Sequence, residues 1–126
     1  MPSIIQSDVD DLGVIIKFSG NVKGEEIFNK NLEIMSNPLF IKWRYQIWDF
    51  SEIEKFEVTN SDLRNFARQD GEAGKINPNQ RIAIIRRKIR RSSTDAVFHI
   101  YQEVWGAYQS STFTDIESAR NWGLNG

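Results

Sequence analysis

Arg81-Ile82-Ala83-Ile84-Ile85-Arg86 is the stretch on which the fold turns. Ile82 and Ile84 alternate with Ala83 and Ile85, so a strand here is apolar on both faces, the pattern of a central parallel strand covered from each side. A parallel strand needs crossover connections, and helices are the usual ones. Both flanks supply them. Before the strand, Thr59 to about Ala73 places Leu63, Phe66 and Ala67 at inward helical spacing, although Gly71 and Gly74 weaken its end. After it, about Thr94 to Tyr108 carries Val97, Ile100, Tyr101, Val104 and Tyr108 in one stripe, flanked by Phe98 and Trp105. That stripe is wide enough for one flanking aromatic to serve a partner or a homodimer face.

Further out, Ile4-Ile5 and Val14 to Phe18 read as two strands joined through the polar stretch Asp8 to Gly13, a hairpin connection. Beyond Gly20 the period changes: Phe28, Leu32 and Met35, with Ile27 and Ile34 beside them, mark a helix that Asn37-Pro38 ends. Arg44 to Phe50 is the next strand. A short strand near Phe113 and a helix from about Asp115 to Gly123 close the chain. Thr59 with Asp62, Ser92 with Asp95, and Thr114 with Glu117 have the spacing of helix caps, in which a hydroxyl and an acid satisfy backbone N–H groups. The expected fold class is therefore α/β, in the order β-β-α-β-α-β-α-β-α, with a mostly parallel sheet of about five strands packed with helices. One domain over residues 1–126 is expected.

Composition narrows the function. A chain of 126 residues with 40% hydrophobic content can bury an ordinary core, and the absence of cysteine excludes disulfides, thiolate nucleophiles and zinc-thiolate sites. The N-terminus lacks a signal-peptide pattern and no apolar run is long enough to span a membrane, so the expected location is the cytoplasm. A formal charge of −1 argues against nucleic acid as a partner. The aromatics, Trp43, Trp48, Trp105 and Trp122 among them, are not interleaved with basic residues as single-strand binders require. The single histidine, His99, falls opposite the apolar stripe of its helix, near Gln102 and Glu103, and reads as surface. No catalytic constellation, metal-ligand spacing or cofactor motif is visible.

Three segments carry a family resemblance: Phe18-Ser19-Gly20-Asn21-Val22-Lys23-Gly24-Glu25-Glu26, Ile47-Trp48-Asp49-Phe50, and Phe113-Thr114-Asp115 with Ala119 and Trp122. They resemble, in turn, the strand, glycine turn and acidic helix start, the strand ending in aspartate, and the C-terminal strand and helix of the STAS fold of anti-sigma-factor antagonists. The likeness is to small stand-alone bacterial STAS-like proteins, related in shape to CRAL-TRIO lipid-binding domains. It covers nearly the whole chain and implies a non-enzymatic domain that binds a protein partner at the start of the second helix. The stretch matching the family's phosphorylated serine motif is Thr59-Asn60-Ser61-Asp62-Leu63, where Asn60 occupies the acceptor position and Asp62 the glycine position. The resemblance therefore implies partner binding at Asn60, Ser61 and Asp62 without the usual serine phospho-switch.

One cluster stands apart from it. Arg86, Arg87, Lys88, Arg90 and Arg91 are five basic residues among six, in a chain whose remainder is net acidic, and Ser92 and Ser93 follow at the expected helix start. A loop after a parallel strand, leading into helix N–H groups, suits a phosphate, another small anion or a lipid head group. The alternative is a solvated charge run, partly neutralised by Asp49, Glu52, Glu54 and Glu57. Asp49, at a strand end, could coordinate a cation or act as a base, but an acid there more often accepts from backbone N–H groups of the next turn.

Overall fold

The computed structural model describes residues 3–86 and 109–125. Five strands form one sheet in the order β1-β2-β3-β4-β5: β1 Ser3–Ser7, β2 Gly13–Lys23, β3 Tyr45–Glu57, β4 Arg81–Ile85 and β5 Gln109–Phe113. β1 runs antiparallel to β2, and every other pairing is parallel. Three helices are described, α1 Gly24–Met35, α2 Asn60–Ile76 and α3 Ile116–Asn125. The helix expected over about Thr94 to Tyr108, with its cap at Ser92 and Asp95, lies outside the described residues, as do His99 and Trp105.

The β4 alternation works as read. Ile82 and Ile84 join the larger core, with Val14, Ile16, Phe18, Trp48 and Phe50 from the sheet and Ile27, Ile34, Leu63, Phe66 and Ala73 from α1 and α2. Ala83 and Ile85 face the other way, into a core with Ile15, Tyr45, Ile47 and Ala119 of α3. Phe18 stacks between Trp48 and Phe50, with ring centroids 5.9 and 5.0 Å away. Fully burying a side chain of this size contributes about 1.5–3 kcal/mol before entropy is subtracted.

Several boundaries differ from the reading of the residues. β2 does not turn at Gly20; it continues to Lys23, with Gly20 at φ +69° beside a register shift, a left-handed conformation that suits glycine. β3 likewise runs past Phe50 to Glu57, so Glu52, Glu54 and Glu57 lie on a strand paired with β2 and do not form a loop. In α1 the buried face is Gly24, Ile27, Asn31 and Ile34, while Leu32 is exposed. In α2 Ala67 is exposed, and Gln69, Asp70 and Ala73 continue the inward face set by Leu63 and Phe66. At α3 the cap is Asp115, one residue after the expected Thr114: its Oδ1 accepts from the Ser118 N–H at 2.8 Å. The β1–β2 connection passes through Asp10 and Asp11 at φ 54° and 58°, a region aspartate tolerates better than most side chains do.

Candidate functional site

Among the described residues, two regions of the surface gather polar side chains on a fixed frame, one at each end of the parallel strands. At the end where the strands finish, β3 stops at Glu57 and α2 starts three residues on. Thr59 has extended geometry, its Oγ1 accepts from the Asp62 N–H at 3.1 Å, and Asp62 Oδ2 accepts from the Thr59 N–H at 2.9 Å. This reciprocal box satisfies two otherwise orphaned donors. The start of α1 packs directly on it, since a Cβ on Gly24 would overlap the Asp62 carboxylate. Asn60 and Ser61 stand exposed on the outer side of the turn, with half-buried Phe56 and Val58 of the preceding segment near them in the chain. Asp62 is thus committed to the cap, and the exposed polar pair is Asn60 and Ser61.

Arg86 leaves the sheet at this same end, its N–H donating to Phe113 O at 3.1 Å. Arg87, Lys88, Arg90, Arg91, Ser92 and Ser93 lie outside the described residues. Asp49 Oδ1 accepts from the Ser51 N–H at 2.9 Å, the backbone bond expected of an acid there, although Ser51 is strand and not loop. Glu52 pairs with Lys17 at 3.4 Å on the surface. Among the described residues no group of three His, Cys, Asp or Glu side chains could hold a metal ion, and no helix is long and apolar enough to cross a membrane.

At the opposite end, where β3 and β4 begin, the structure forms a cleft of about 430 Å³. Its walls are the turn before β3 (Ile41 to Arg44), the approach to β4 (Asn77, Asn79 and Arg81) and the last turn of α3 (Gly123 to Asn125). The turn is held from inside: Asn77 Nδ2 donates to Phe40 O and Trp43 O at 2.8 and 3.0 Å, and Gln80 Nε2 donates to Phe40 O at 2.8 Å. Gln80 also accepts from buried Gln46, which accepts from Trp48 Nε1 at 2.9 Å. Arg81 N–H donates to Arg44 O at 3.0 Å, so both arginines leave neighbouring strand starts at one level. Arg81 donates Nη1 to Trp122 O at 2.8 Å and Nε to Gln109 at 3.1 Å, and lies 5.6 Å over the Trp122 ring. Arg44 donates Nη2 to Leu124 O at 3.3 Å. Cations are favourable at the carbonyl end of a helix.

Reading by segment missed this cleft because its two arginines are 37 positions apart and each looks like an ordinary strand edge. The available signal is a cation at or just before the start of two adjacent parallel strands, which the pairing of Tyr45 with Arg81 brings together.

Beside the cleft, Tyr45 enters the smaller core through a slot where a Cβ on Gly13 or Gly123 would overlap its ring. Its hydroxyl donates to Asp8 Oδ2 at 2.5 Å, and Arg120 grips both oxygens of Asp8 at 2.7 and 2.9 Å. Burial pushes the Asp8 carboxyl upward, but the hydrogen bonds from Arg120 and Tyr45 outweigh it and hold the group below its usual range. Burial and the Asp8 contact together push the Tyr45 hydroxyl up. Between α1 and α2, Asn31 Nδ2 donates to Gln69 at 3.1 Å, next to Asp70, whose Oδ2 is buried without a partner. Burial raises Asp70 to about 8.

No family model matches the sequence, and no curated protein matches it. A crystal structure of an uncharacterized protein of the DUF3478 family from Shewanella loihica PV-4, with a SpoIIAA-like fold, matches at a TM-score of 0.58 and 15% identity. The match covers 95% of this chain and 90% of that one. At that identity the likeness shows the fold, which is SpoIIAA-like, the STAS-like architecture that the three sequence segments resemble.

Proposed function

We propose that this SpoIIAA-like fold is a single, non-enzymatic, cytoplasmic regulatory domain that binds a protein partner through the start of α2. The observation that carries the reading is the helix start itself. Thr59, Asp62 and Gly24 fix the turn, while Asn60 and Ser61 are left to solvent. A preorganised polar turn beside half-buried apolar side chains suits recognition, because little ordering entropy is lost on binding. By the resemblance of Thr59 to Leu63 to the phosphorylated motif of STAS proteins, Asn60 takes the place of the acceptor serine, so binding here is read as constitutive and not switched at that position.

A photo-reactive cross-linker placed at Ser61 is expected to capture one protein in the native cell, while the same group at exposed Lys75, at the far end of α2, captures none. Ser61→Arg is expected to weaken that complex by about tenfold or more without lowering thermal stability. Equal capture from both positions, or an unaffected complex in the Ser61→Arg protein, would refute the reading.

A further inference from the structure

We infer that the cleft at the start of β3 and β4 is a binding site for a phosphomonoester, held by Lys42, Arg44 and Arg81. The inference is independent of partner binding at α2, which lies at the other end of the parallel strands. The described lining contains three cations and three asparagine side chains and no carboxylate. Among the described residues none of the three cations has an acidic partner within ion-pair distance, in a chain of net charge −1. A surface charge run would be expected to find some of the chain's 17 acids; this group instead faces a concave space.

The arginines are also held in place. Among the described residues Arg81 is fixed by Trp122 O, Gln109 and the Trp122 ring, which leaves Nη2 open there, and Arg44 is tied through Nη2, which leaves Nε and Nη1. A guanidinium already fixed by one edge loses little freedom when another edge takes a ligand oxygen. Two guanidinium groups and an ammonium suit the dianionic charge and several acceptor oxygens of a phosphomonoester better than a single carboxylate. A volume of about 430 Å³ lies toward the small end of ligand clefts, which limits the bound group to a small molecule or the head group of a larger one. Ile41, 67% exposed on the rim, offers an apolar contact to either.

Two probes separate the sources of this chemistry. Glycerol phosphate is titrated calorimetrically into the full chain at physiological salt. Phosphatidylcholine vesicles with and without phosphatidic acid are tested by co-sedimentation. Lys42→Gln with Arg44→Gln is the informative variant, because both side chains are exposed and neither is in the core; Arg86→Gln, at the opposite end of β4, combined with Arg87→Gln, the next residue in the sequence, is the control. Single-site binding of glycerol phosphate, weakened about tenfold or more in the first variant and unchanged in the control, is expected for a soluble ligand. Phosphatidic-acid-dependent sedimentation with the same variant pattern, and no soluble binding, identifies a lipid head group. Neither probe binding, equal binding by wild type and the Lys42/Arg44 variant, or loss in the Arg86/Arg87 variant alone overturns the inference.

Discussion

Asp70 is the residue whose environment most contradicts its chemistry. It is 3% exposed, has no cation within ion-pair distance among the described residues, and leaves one carboxyl oxygen unpartnered. Burial without a counter-charge favours the neutral acid. Its value rises from 3.8 to about 8, so at neutral pH the folded protein holds a proton that the unfolded chain releases. Stability from this group is complete below pH 3.8, falls as the pH rises toward 8 and is flat above. A fall on the order of a few kcal/mol across that window is expected. Asp70→Asn keeps the shape and removes the titration. Urea unfolding at several pH values should show the variant gaining on wild type as pH increases, with the largest advantage above pH 8. A constant difference between the two proteins would mean that Asp70 is ionised in the folded state.

The segments that repeat at helical or strand period, α1, α2, β4 and the first half of β2, were legible from the residues because their apolar side chains fill a core. Ser19 to Lys23 and Ser51 to Glu57 were not: both are rich in polar residues, and their strand geometry comes from pairing with each other, a tertiary effect that no local pattern encodes. Asn31 replaces Leu32 on the buried face of α1 for the same kind of reason, since its amide meets Gln69 across the helix pair. Of the two surface regions, the α2 start was legible through its capping spacing, whereas the cleft is assembled from three distant segments. The start of α2 also couples two helices. Thr59→Ala, or Asp62→Ala, should cost about 1 kcal/mol as a lost cap. Gly24→Ala should cost more while Asp62 is present, because the added methyl group meets the carboxylate. In an Asp62→Ala background much of that extra cost should disappear. A double-mutant cycle by chemical denaturation measures this coupling, and additive costs would show that the two helix starts do not share the contact.

At the scale of the molecule, the described residues close the two faces of the sheet in different ways. The face under α1 and α2 is filled by large aliphatic and aromatic side chains, whereas the described core under α3 is smaller and is fastened at its rim by polar bonds. Asp8, between β1 and β2, is bound to Arg120 of α3 across 112 positions, and both meet Tyr45 at the first step of β3. This tie joins the two ends of the described chain to its centre. Its energetics are asymmetric: Asp8 is nearly buried, so removing Arg120 leaves a carboxylate whose remaining side-chain partner, among the described residues, is the Tyr45 hydroxyl. Arg120→Met, which keeps the apolar stem, is expected to cost about 1–3 kcal/mol. The loss should be local first. Amide exchange should quicken in α3 and in the Asp8 to Leu12 connection, while the β2, β3 and β4 amides that bridge the larger core stay protected until global unfolding. The pH dependence has the opposite sign to that of Asp70. A depressed carboxyl contributes stability above its unfolded value of 3.8 that is lost as the pH falls through its folded value, so Arg120→Met should flatten the acid limb of the stability curve. A uniform rise in exchange across all strands, or an unchanged acid limb, would show that α3 is held by its apolar contacts with β3 and β4 and that the Asp8–Arg120 pair is incidental to the fold.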